Sequence, residues 1–150
     1  MSVRSAAQSD LSGILEVERL SFTNRKQWGQ GDFQDAMKDL FLVSANGGIC
    51  GFLIASCWKD TGRAVILRIA VHPDHRNRGI ATRLIEAAIE RFRKMGLREV
   101  EIDVEIVKRG AIQLYEKVGF RTVRGIPMSE NDSMDDEDGS FFLMKLPLRE

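Results

Sequence analysis

The chain has 150 residues, of which 43% are hydrophobic and 29% are charged. This composition is typical of an ordinary globular domain and argues against a disordered or collagen-like chain. The 22 basic and 22 acidic residues give a formal net charge of zero, which argues against a protein that binds nucleic acid mainly through bulk positive charge. We therefore expect one domain over residues 1–150, with its own core and no nucleic-acid partner.

The cysteines and the apolar runs indicate the compartment. Cys50 and Cys57 lie seven residues apart in one apolar run, and in a strand this odd spacing places them on opposite faces, where they cannot form a disulfide with each other. We expect free thiols and, without a Cys/His cluster of ligand spacing, no metal. The N-terminal segment lacks a signal-peptide core, and no apolar run reaches membrane-spanning length. We expect a cytoplasmic protein without membrane contact.

Hydrophobic periodicity predicts the elements of the N-terminal half. Ser9 and Asp10 are candidate caps for an amphipathic helix, and an Asn-Gly-Gly turn at residues 46–48 favours a hairpin. The predicted elements in order are a strand at 3–6, a helix from Leu11, a short helix from Asp32 to Leu40, hairpin strands at 41–44 and 49–58, and a strand at 64–71.

The C-terminal half contains the clearest helix, whose apolar face starts at Ile80 and whose end is predicted at Gly96. Beyond it, residues 100–106 alternate strictly between apolar and acidic side chains. The remaining predicted elements are a short helix at 108–118 and strands at 120–124 and 141–146. This order predicts an α/β sheet with helices on both sides, at least partly parallel around the long helix.

The most informative stretch is the strand-to-helix junction at residues 65–85, VILRIAVHPDHRNRGIATRLI. The first N–H groups of a helix lack intrahelical partners and lie at the positive end of its dipole, so this junction predicts a phosphate-type anion site. Gly79 allows close approach of a ligand, and Arg76, Arg78 and Arg83 add positive charge. Neither common nucleotide fingerprint is present. From spacing alone, a tight turn with solvated arginines remains the alternative.

Two motifs in this sequence resemble those of the GNAT N-acetyltransferase superfamily. Arg76-x-x-Gly79-x-Ala81 resembles the acetyl-CoA pyrophosphate loop, and residues 111–120, AIQLYEKVGF, resemble the second signature of the family. Together with the intervening strand they cover residues 65–120, over a third of the chain. The resemblance implies an α/β fold of the GNAT type, with a mixed, centrally splayed sheet of about six to seven strands and about four flanking helices.

The resemblance implies an enzyme that transfers an acetyl group from acetyl-CoA, its cosubstrate, to an amine. In the family, the strand before the loop lines the pantetheine arm and the backbone amides of the loop hold the pyrophosphate. The implied cofactor-binding residues are Ile69, Ala70, Val71, Arg76, Asn77, Arg78, Gly79, Ile80, Ala81 and Thr82. Tyr115 aligns with the tyrosine credited as the general acid that protonates the departing thiolate. The structural alternative for Tyr115 is a core aromatic residue with a satisfied hydroxyl.

An amine must be neutral to attack, so the reaction requires a general base or a water chain that leads to one. The strand at 100–106 places Glu101, Asp103 and Glu105 on one face, which indicates an open cleft or a solvated end of the sheet. In ribosomal-protein alanine and related N-terminal acetyltransferases, a catalytic residue often lies twelve positions before the tyrosine, as Asp103 does. The candidate bases, in order, are Asp103, Glu105 and Glu18 of the first helix.

The family resemblance also favours one class of acceptor. Residues 14–18, followed by Phe22 and Trp28, resemble the opening helix of protein N-terminal acetyltransferases, so a protein or peptide N-terminus is expected. Two positions depart from that pattern, because Lys108 replaces a usual asparagine and residues 126–128, IPM, replace a peptide-gripping tyrosine pair. A polyamine or aminoglycoside acceptor therefore stays open, as does a non-catalytic acetyl-CoA-binding regulatory module. Monomer and homodimer are both compatible with the sequence.

Residues 130–138, ENDSMDDED, contain six acidic residues and no basic one. The rest of the chain therefore has 22 basic against 16 acidic residues, a formal charge of +6. This run is either a solvated loop or an overhang that attracts cationic amines to the acceptor site.

Overall fold

The computed structural model describes residues 2–22, 27–127 and 140–148. In these ranges the chain forms one mixed sheet of seven strands and four α-helices. The strands are β1 Ser2–Ser5, β2 Leu40–Ala45, β3 Ile49–Trp58, β4 Arg63–Val71, β5 Glu99–Glu105, β6 Arg121–Pro127 and β7 Ser140–Pro147. The helices are α1 Leu11–Ser21, α2 Gln30–Ala36, α3 Ile80–Lys94 and α4 Arg109–Val118. The expected α/β fold is confirmed.

The strand order across the sheet is β1-β2-β3-β4-β5-β7-β6. Only β4 and β5 pair in parallel, and the crossover between them contains α3, as parallel neighbours require. Every other pair of neighbours in the described sheet is antiparallel. The prediction of a partly parallel sheet around the long helix is therefore confirmed.

One detail of the predicted architecture is wrong. The second helix ends at Ala36, because the N–H of Asp39 bonds back to the carbonyl of Ala36 in a turn and Leu40 already belongs to β2. Helices lie on both sides of the sheet, as predicted, although α1 and α2 cover only part of their side. The buried cluster on the side of α1 and α2 contains, among the described residues, members of β2, β3 and β4 but none of β5, β6 or β7.

Two cores hold the helices on opposite faces of the sheet. The apolar stripe of α3 is fully buried, as its periodicity predicted, and packs with α4 against one face. On the other face, α1 and α2 cover an aromatic group in which the rings of Phe33 and Phe52 lie 5.4 Å apart. Truncating a fully buried phenylalanine such as Phe33 costs about 3–5 kcal/mol. These cores hold α1 and α3 on either side of β4.

No helix in the described ranges is long and apolar enough to cross a membrane. Cys50 and Cys57 are both free thiols, and burial raises the pKa of Cys57 above its ordinary value. Within the same ranges, no cluster of three or more histidine, cysteine or carboxylate side chains is arranged to hold a metal ion.

Candidate active site

The central feature of the site is the divergence of β4 from β5. Their parallel pairing ends at Ile66 and Ile102, after which β4 continues against β3 alone and β5 against β7 alone. Within the described residues, the edge of β4 from Leu67 to Val71 that faces β5 therefore has no strand partner. Unpaired backbone N–H and C=O groups of this kind bond readily to an extended ligand.

A β-bulge explains where the two strands separate. Ile54 of β3 lies opposite Arg68, whereas its neighbour Ala55 lies opposite Ile66, so Leu67 is the extra residue in β4. A bulge bends its strand and increases the local twist, which turns β4 away from β5. Leu67 is 48% exposed although it lies in an apolar run.

The loop after β4 presents backbone N–H groups at the start of α3. Asn77 and Gly79 have left-handed φ angles of 65° and 77°, which asparagine tolerates better than most residues and glycine adopts freely. The first turn of α3 closes with the bond from the Arg83 N–H to the Gly79 carbonyl, at 3.0 Å. The N–H groups of residues 80–82 come before that bond, so they lack acceptors within the helix and suit an anion such as a phosphate.

A groove of about 670 Å³ lies between α3 and α4 and begins at Thr82, the last of the predicted phosphate-binding residues. Ile89, Leu114 and Leu146 contribute apolar surface, whereas Arg93 and other charged residues line the rest. This volume falls within the usual range for cofactor sites. The groove shares only Thr82 with the loop, and none of residues 67–71 lines it. The unpaired edge of β4 and the N–H groups at the start of α3 are the two features that fit a ligand with an extended polar arm and a pyrophosphate.

Tyr115 lies on α4 inside the core that α3 and α4 share. Only 6% of its surface is exposed, and its ring centroid lies 6.0 Å from that of Phe120. Burial raises the pKa of Tyr115 to about 12, because the apolar surroundings disfavour the phenolate. The hydroxyl therefore keeps its proton throughout the physiological range, a form that can donate a hydrogen bond.

The acidic residues of β5 share a face, as predicted, but their surroundings differ. Glu101 is buried and ion-paired with Arg63 at 3.1 Å and with Lys145 at 3.2 Å. Glu105 is also buried and lies 3.9 Å from the amine of Lys108. Asp103 is exposed, and the structure shows no hydrogen bond or ion pair between it and the other described residues.

The charge state of Asp103 is set by its neighbours across the sheet. Partial desolvation and the negative charge of Glu101 raise the pKa of Asp103, whereas the positive charge of Arg124 lowers it less strongly. Arg124 reaches this face because a bulge in β6 makes Val123 the extra residue and places Arg124 opposite Leu143, the partner of Asp103. Of the three acids on this face, Asp103 has the environment of an accessible proton acceptor.

Glu18 has a different environment. It is 1% exposed, its carboxylate pairs with the guanidinium of Arg68, and it accepts the backbone N–H of Trp28 at 2.7 Å. Both of its oxygens are thus occupied by donors. Sequence reasoning did not single out Arg68, although a lone charge in the apolar strand AVILRIAV was a signal for it.

The structure brings several predicted residues to the same divergence. Since β4 and β5 run in the same direction, the phosphate loop after Val71 and the acids Asp103 and Glu105 lie at the same end of the strand pair. Lys108 is the N-cap of α4. The predicted acidic run at residues 130–138 lies outside the described residues.

Comparison with known proteins agrees with this geometry. The family model for the acetyltransferase (GNAT) family matches residues 7–120. An uncharacterised N-acetyltransferase of Methanocaldococcus jannaschii is 33% identical over 135 residues, which are 79% of this chain and 60% of that protein. The chain therefore spans less than two thirds of that relative, and it matches two further curated relatives over 43% and 55% of their length.

Two further proteins are similar to this chain over nearly their whole length. An N-alpha-acetyltransferase of Sulfurisphaera tokodaii is 24% identical over 97% of this chain and 92% of its own length. The crystal structure of the ribosomal-protein alanine N-acetyltransferase from Escherichia coli superposes with a TM-score of 0.84 at 23% identity, covering 99% of this chain and 94% of that one. At this identity the structural likeness establishes the fold.

Proposed function

Because the chain belongs to the GNAT acetyltransferase family, we propose that it is an acetyl-CoA-dependent N-acetyltransferase whose acceptor is the amine of a protein or peptide N-terminus. The observation that carries the proposal is the continuity of two features. The unpaired edge of β4 at residues 67–71 leads directly into the N–H groups at residues 77–82. The first suits the amide-containing pantetheine arm of acetyl-CoA, and the second suits its pyrophosphate.

Asp103 is the general base in this proposal. An alkylamine is mostly protonated at neutral pH, so a proton must leave it before its nitrogen attacks the thioester carbonyl supplied by acetyl-CoA. Asp103 borders the divergence, and its raised pKa makes it a better proton acceptor than an ordinary carboxylate. Asp103 takes the first proton, directly or through water, and leaves the amine neutral. As the C–N bond then forms and the C–S bond breaks, the nitrogen loses a second proton to water, and solvent protonates the departing thiolate.

Tyr115 stabilises the leaving group. An ordinary thiol has a pKa of about 8.5, whereas the pKa of Tyr115 is about 12, so full proton transfer from the tyrosine to the sulfur runs uphill. Its hydroxyl therefore acts best as a hydrogen-bond donor to the thiolate as negative charge develops there. This refines the role of general acid that the motif implies, since solvent then completes the protonation of the thiolate.

A relative and the opening helix favour an N-terminal amine as the acceptor, whereas the end of β6 does not. The name of the full-length relative from Sulfurisphaera tokodaii denotes an enzyme that acts on N-terminal amines. The opening helix that suggested this class in the sequence folds as α1, with Phe22 and Trp28 beside it. Against this, β6 ends in Ile126 and Pro127 rather than in a tyrosine pair, which keeps a polyamine or aminoglycoside as the second candidate.

A CoA-release assay tests both candidates. Wild type is incubated with acetyl-CoA and a panel of N-terminal peptides, polyamines, aminoglycosides and free amino acids, and thiol release is followed at each concentration. Peptides beginning with a free amine are expected to give the highest kcat/KM, and the same peptides with a blocked N-terminus are expected to give none. Preference for a polyamine or aminoglycoside would favour the second candidate. Thermal stabilisation by acetyl-CoA without turnover on any amine would indicate a regulatory module.

We propose that the chain acts as one catalytic domain, since every described strand joins one sheet. A cytoplasmic location fits the two free thiols, which persist in a reducing compartment.

A further inference from the structure

Arg68 occupies a particular place in the site. It is the first residue of β4 after the bulge at Leu67, where β4 has just left β5. Its strand partner Ile54 belongs to the core under α1 and α2, so Arg68 projects on the face opposite α3. Asp103, the general base in the function proposed above, projects on the same face, because its neighbours Ile102 and Val104 belong to the core under α3. The amine that Asp103 deprotonates therefore lies on the face of the sheet that carries the side chain of Arg68.

The contacts of Arg68 bind three separate segments together. Its Nε donates to Oε1 of Glu18 at 2.9 Å, and its Nη2 donates to Oε2 of the same carboxylate. The guanidinium lies 4.0 Å from the ring centroid of Phe22 and 5.1 Å from that of Trp28. Glu18 completes the group by accepting the Trp28 N–H at 2.7 Å. We call these four residues the Arg68 cluster.

Stability alone is a weak reason for this arrangement. Removing two charges from water is costly, and a buried ion pair is often no more stabilising than apolar residues of the same volume. The ion pair instead fixes geometry, because a bidentate guanidinium holds the Glu18 carboxylate in one orientation. A second hydrogen bond joins α1 to β4, from the Ser21 hydroxyl to the Val71 carbonyl at 3.3 Å. The end of α1 is thus fastened to β4 at two points.

We propose that Arg68 is a positioning residue for the acceptor: through Glu18, Phe22 and Trp28 it holds the end of α1 and the segment at 27–29 against β4, so that this wall orients the acceptor amine. The inference rests on the proposed function. It requires Arg68 to affect the acceptor step and to leave acetyl-CoA binding unchanged. Arg68 belongs to the unpaired edge of β4 through its backbone alone, which substitution retains, whereas its side chain is turned to Glu18.

The test compares Arg68→Gln with Arg19→Gln, which removes the same charge from the exposed outer face of α1. Acetyl-CoA affinity is measured by titration calorimetry, and kcat and KM are measured with an alanine-initiated peptide or with whichever acceptor wild type uses best. For Arg68→Gln we expect kcat/KM for the acceptor to fall about 10- to 100-fold, with the acetyl-CoA Kd within about twofold of wild type. Arg19→Gln should match wild type in both. Arg68→Lys, which keeps the charge without the bidentate geometry, should lie between them.

A second pair of variants covers the case in which Arg68→Gln does not fold. Glu18→Gln keeps the shape of the side chain, and the double variant with Arg68→Lys should lose no more than the larger single loss, because the two residues act as one unit. Additive losses would overturn the inference, as would an unchanged kcat/KM or an equal weakening of acetyl-CoA binding. Wild type that acetylates no amine at all would instead overturn the proposed function, and this inference with it.

Discussion

Arg76 donates from its Nε to the carbonyl oxygen of Val71 at 3.2 Å, which ties the phosphate loop to the last residue of β4. The same carbonyl accepts the Ser21 hydroxyl, so strand, loop and the end of α1 meet at one oxygen. These bonds fix the conformation of the loop within the protein itself. The loop therefore loses less conformational entropy when a ligand binds, and a preformed site of this kind has a higher affinity for its anion.

Gly79→Ala is expected to raise the Kd for acetyl-CoA about 10-fold while leaving the fold intact. The φ of Gly79 is 77°, where a side chain costs about 1–2 kcal/mol, and no described atom lies within 4 Å of the position its Cβ would take. The strain is therefore relieved at the expense of the loop geometry. Gly31→Ala in α2 is the matched control, since its φ is ordinary and its surroundings are open. Calorimetry on both variants checks the prediction, and equal affinities would contradict it.

Tyr115→Phe is expected to lower kcat about 100-fold, the usual cost of losing one hydrogen-bond donor to a developing negative charge. Acetyl-CoA binding should change little, and so should stability, because the ring still fills its site beside Phe120. Steady-state kinetics together with thermal unfolding separate these effects. Since the pKa of Tyr115 is about 12, wild-type kcat should show no loss from its ionisation below about pH 10. An undiminished kcat in the variant would refute the role.

Asp103→Asn is expected to lower kcat by about 10² or more and to remove, from the pH profile of kcat, the acidic limb that belongs to this carboxylate. A base works only when deprotonated, so activity rises with pH through its pKa. Because burial and Glu101 raise the pKa of Asp103, this limb should lie above the ordinary range of aspartate. Glu105→Gln is the comparison, since Glu105 already lies beside Lys108. If Glu105→Gln gave the larger loss, the assignment would move to that residue.

Asp10→Asn is expected to destabilise the protein by about 1 kcal/mol at neutral pH. Its carboxylate accepts two bonds from Arg4, at 2.7 and 2.9 Å, and one from the Ala7 N–H at 2.8 Å. The Arg4 bonds chiefly hold the pKa of Asp10 below its usual value. A lowered pKa in the folded state stabilises above the unfolded value of about 3.9 and loses that effect as pH falls through the folded value.

Urea unfolding at pH 7 and at pH 3 measures this effect. The gap between wild type and Asp10→Asn should shrink at the lower pH, whereas the exposed control Asp60→Asn should show no such change. A gap that is independent of pH would assign the loss to packing rather than to charge.

Ser44→Ala is expected to leave stability unchanged or to raise it by up to about 1 kcal/mol. Ser44 is fully buried in β2, and its hydroxyl has no hydrogen-bond partner among the described residues. An unpaired buried hydroxyl is costly, so its removal relieves that cost. Ser56→Ala removes an exposed hydroxyl that bonds Asp39 and should stay within about 0.5 kcal/mol of wild type. Destabilisation of Ser44→Ala in urea unfolding would show that the hydroxyl has a bridging water.

Local patterns predicted what depends on neighbouring residues in the chain. The apolar stripe of α3 and the hairpin around residues 46–48 were readable because periodicity and turn chemistry act over a few residues. The divergence of β4 from β5 was not derivable in this way, since it depends on a bulge at Leu67 that only the pairing with β3 creates. The splayed sheet was instead predicted from the resemblance to the GNAT family.

Local sequence patterns also could not tell which acidic residue is suited to be the general base, because this depends on contacts between residues that are distant in sequence. Alternation along β5 placed them on one face, but the cations that neutralise Glu101 come from β4 and β7, which are distant in sequence. The partner of Glu18 lies fifty residues further along the chain. Only the folded structure shows that Asp103 has no such partner among the described residues and that Glu18 is part of an ion pair.

The unpaired edge of β4 lies inside the sheet rather than at its border. Border edges are commonly protected from foreign strands by charges, prolines or short length, whereas residues 67–71, LRIAV, carry a single charge, and that one is turned toward Glu18. Any extended chain that reaches this stretch meets the same backbone groups as the pantetheine arm. In the proposed function, acetyl-CoA and an intruding strand therefore compete for one edge, and saturating acetyl-CoA is expected to slow aggregation of the purified protein.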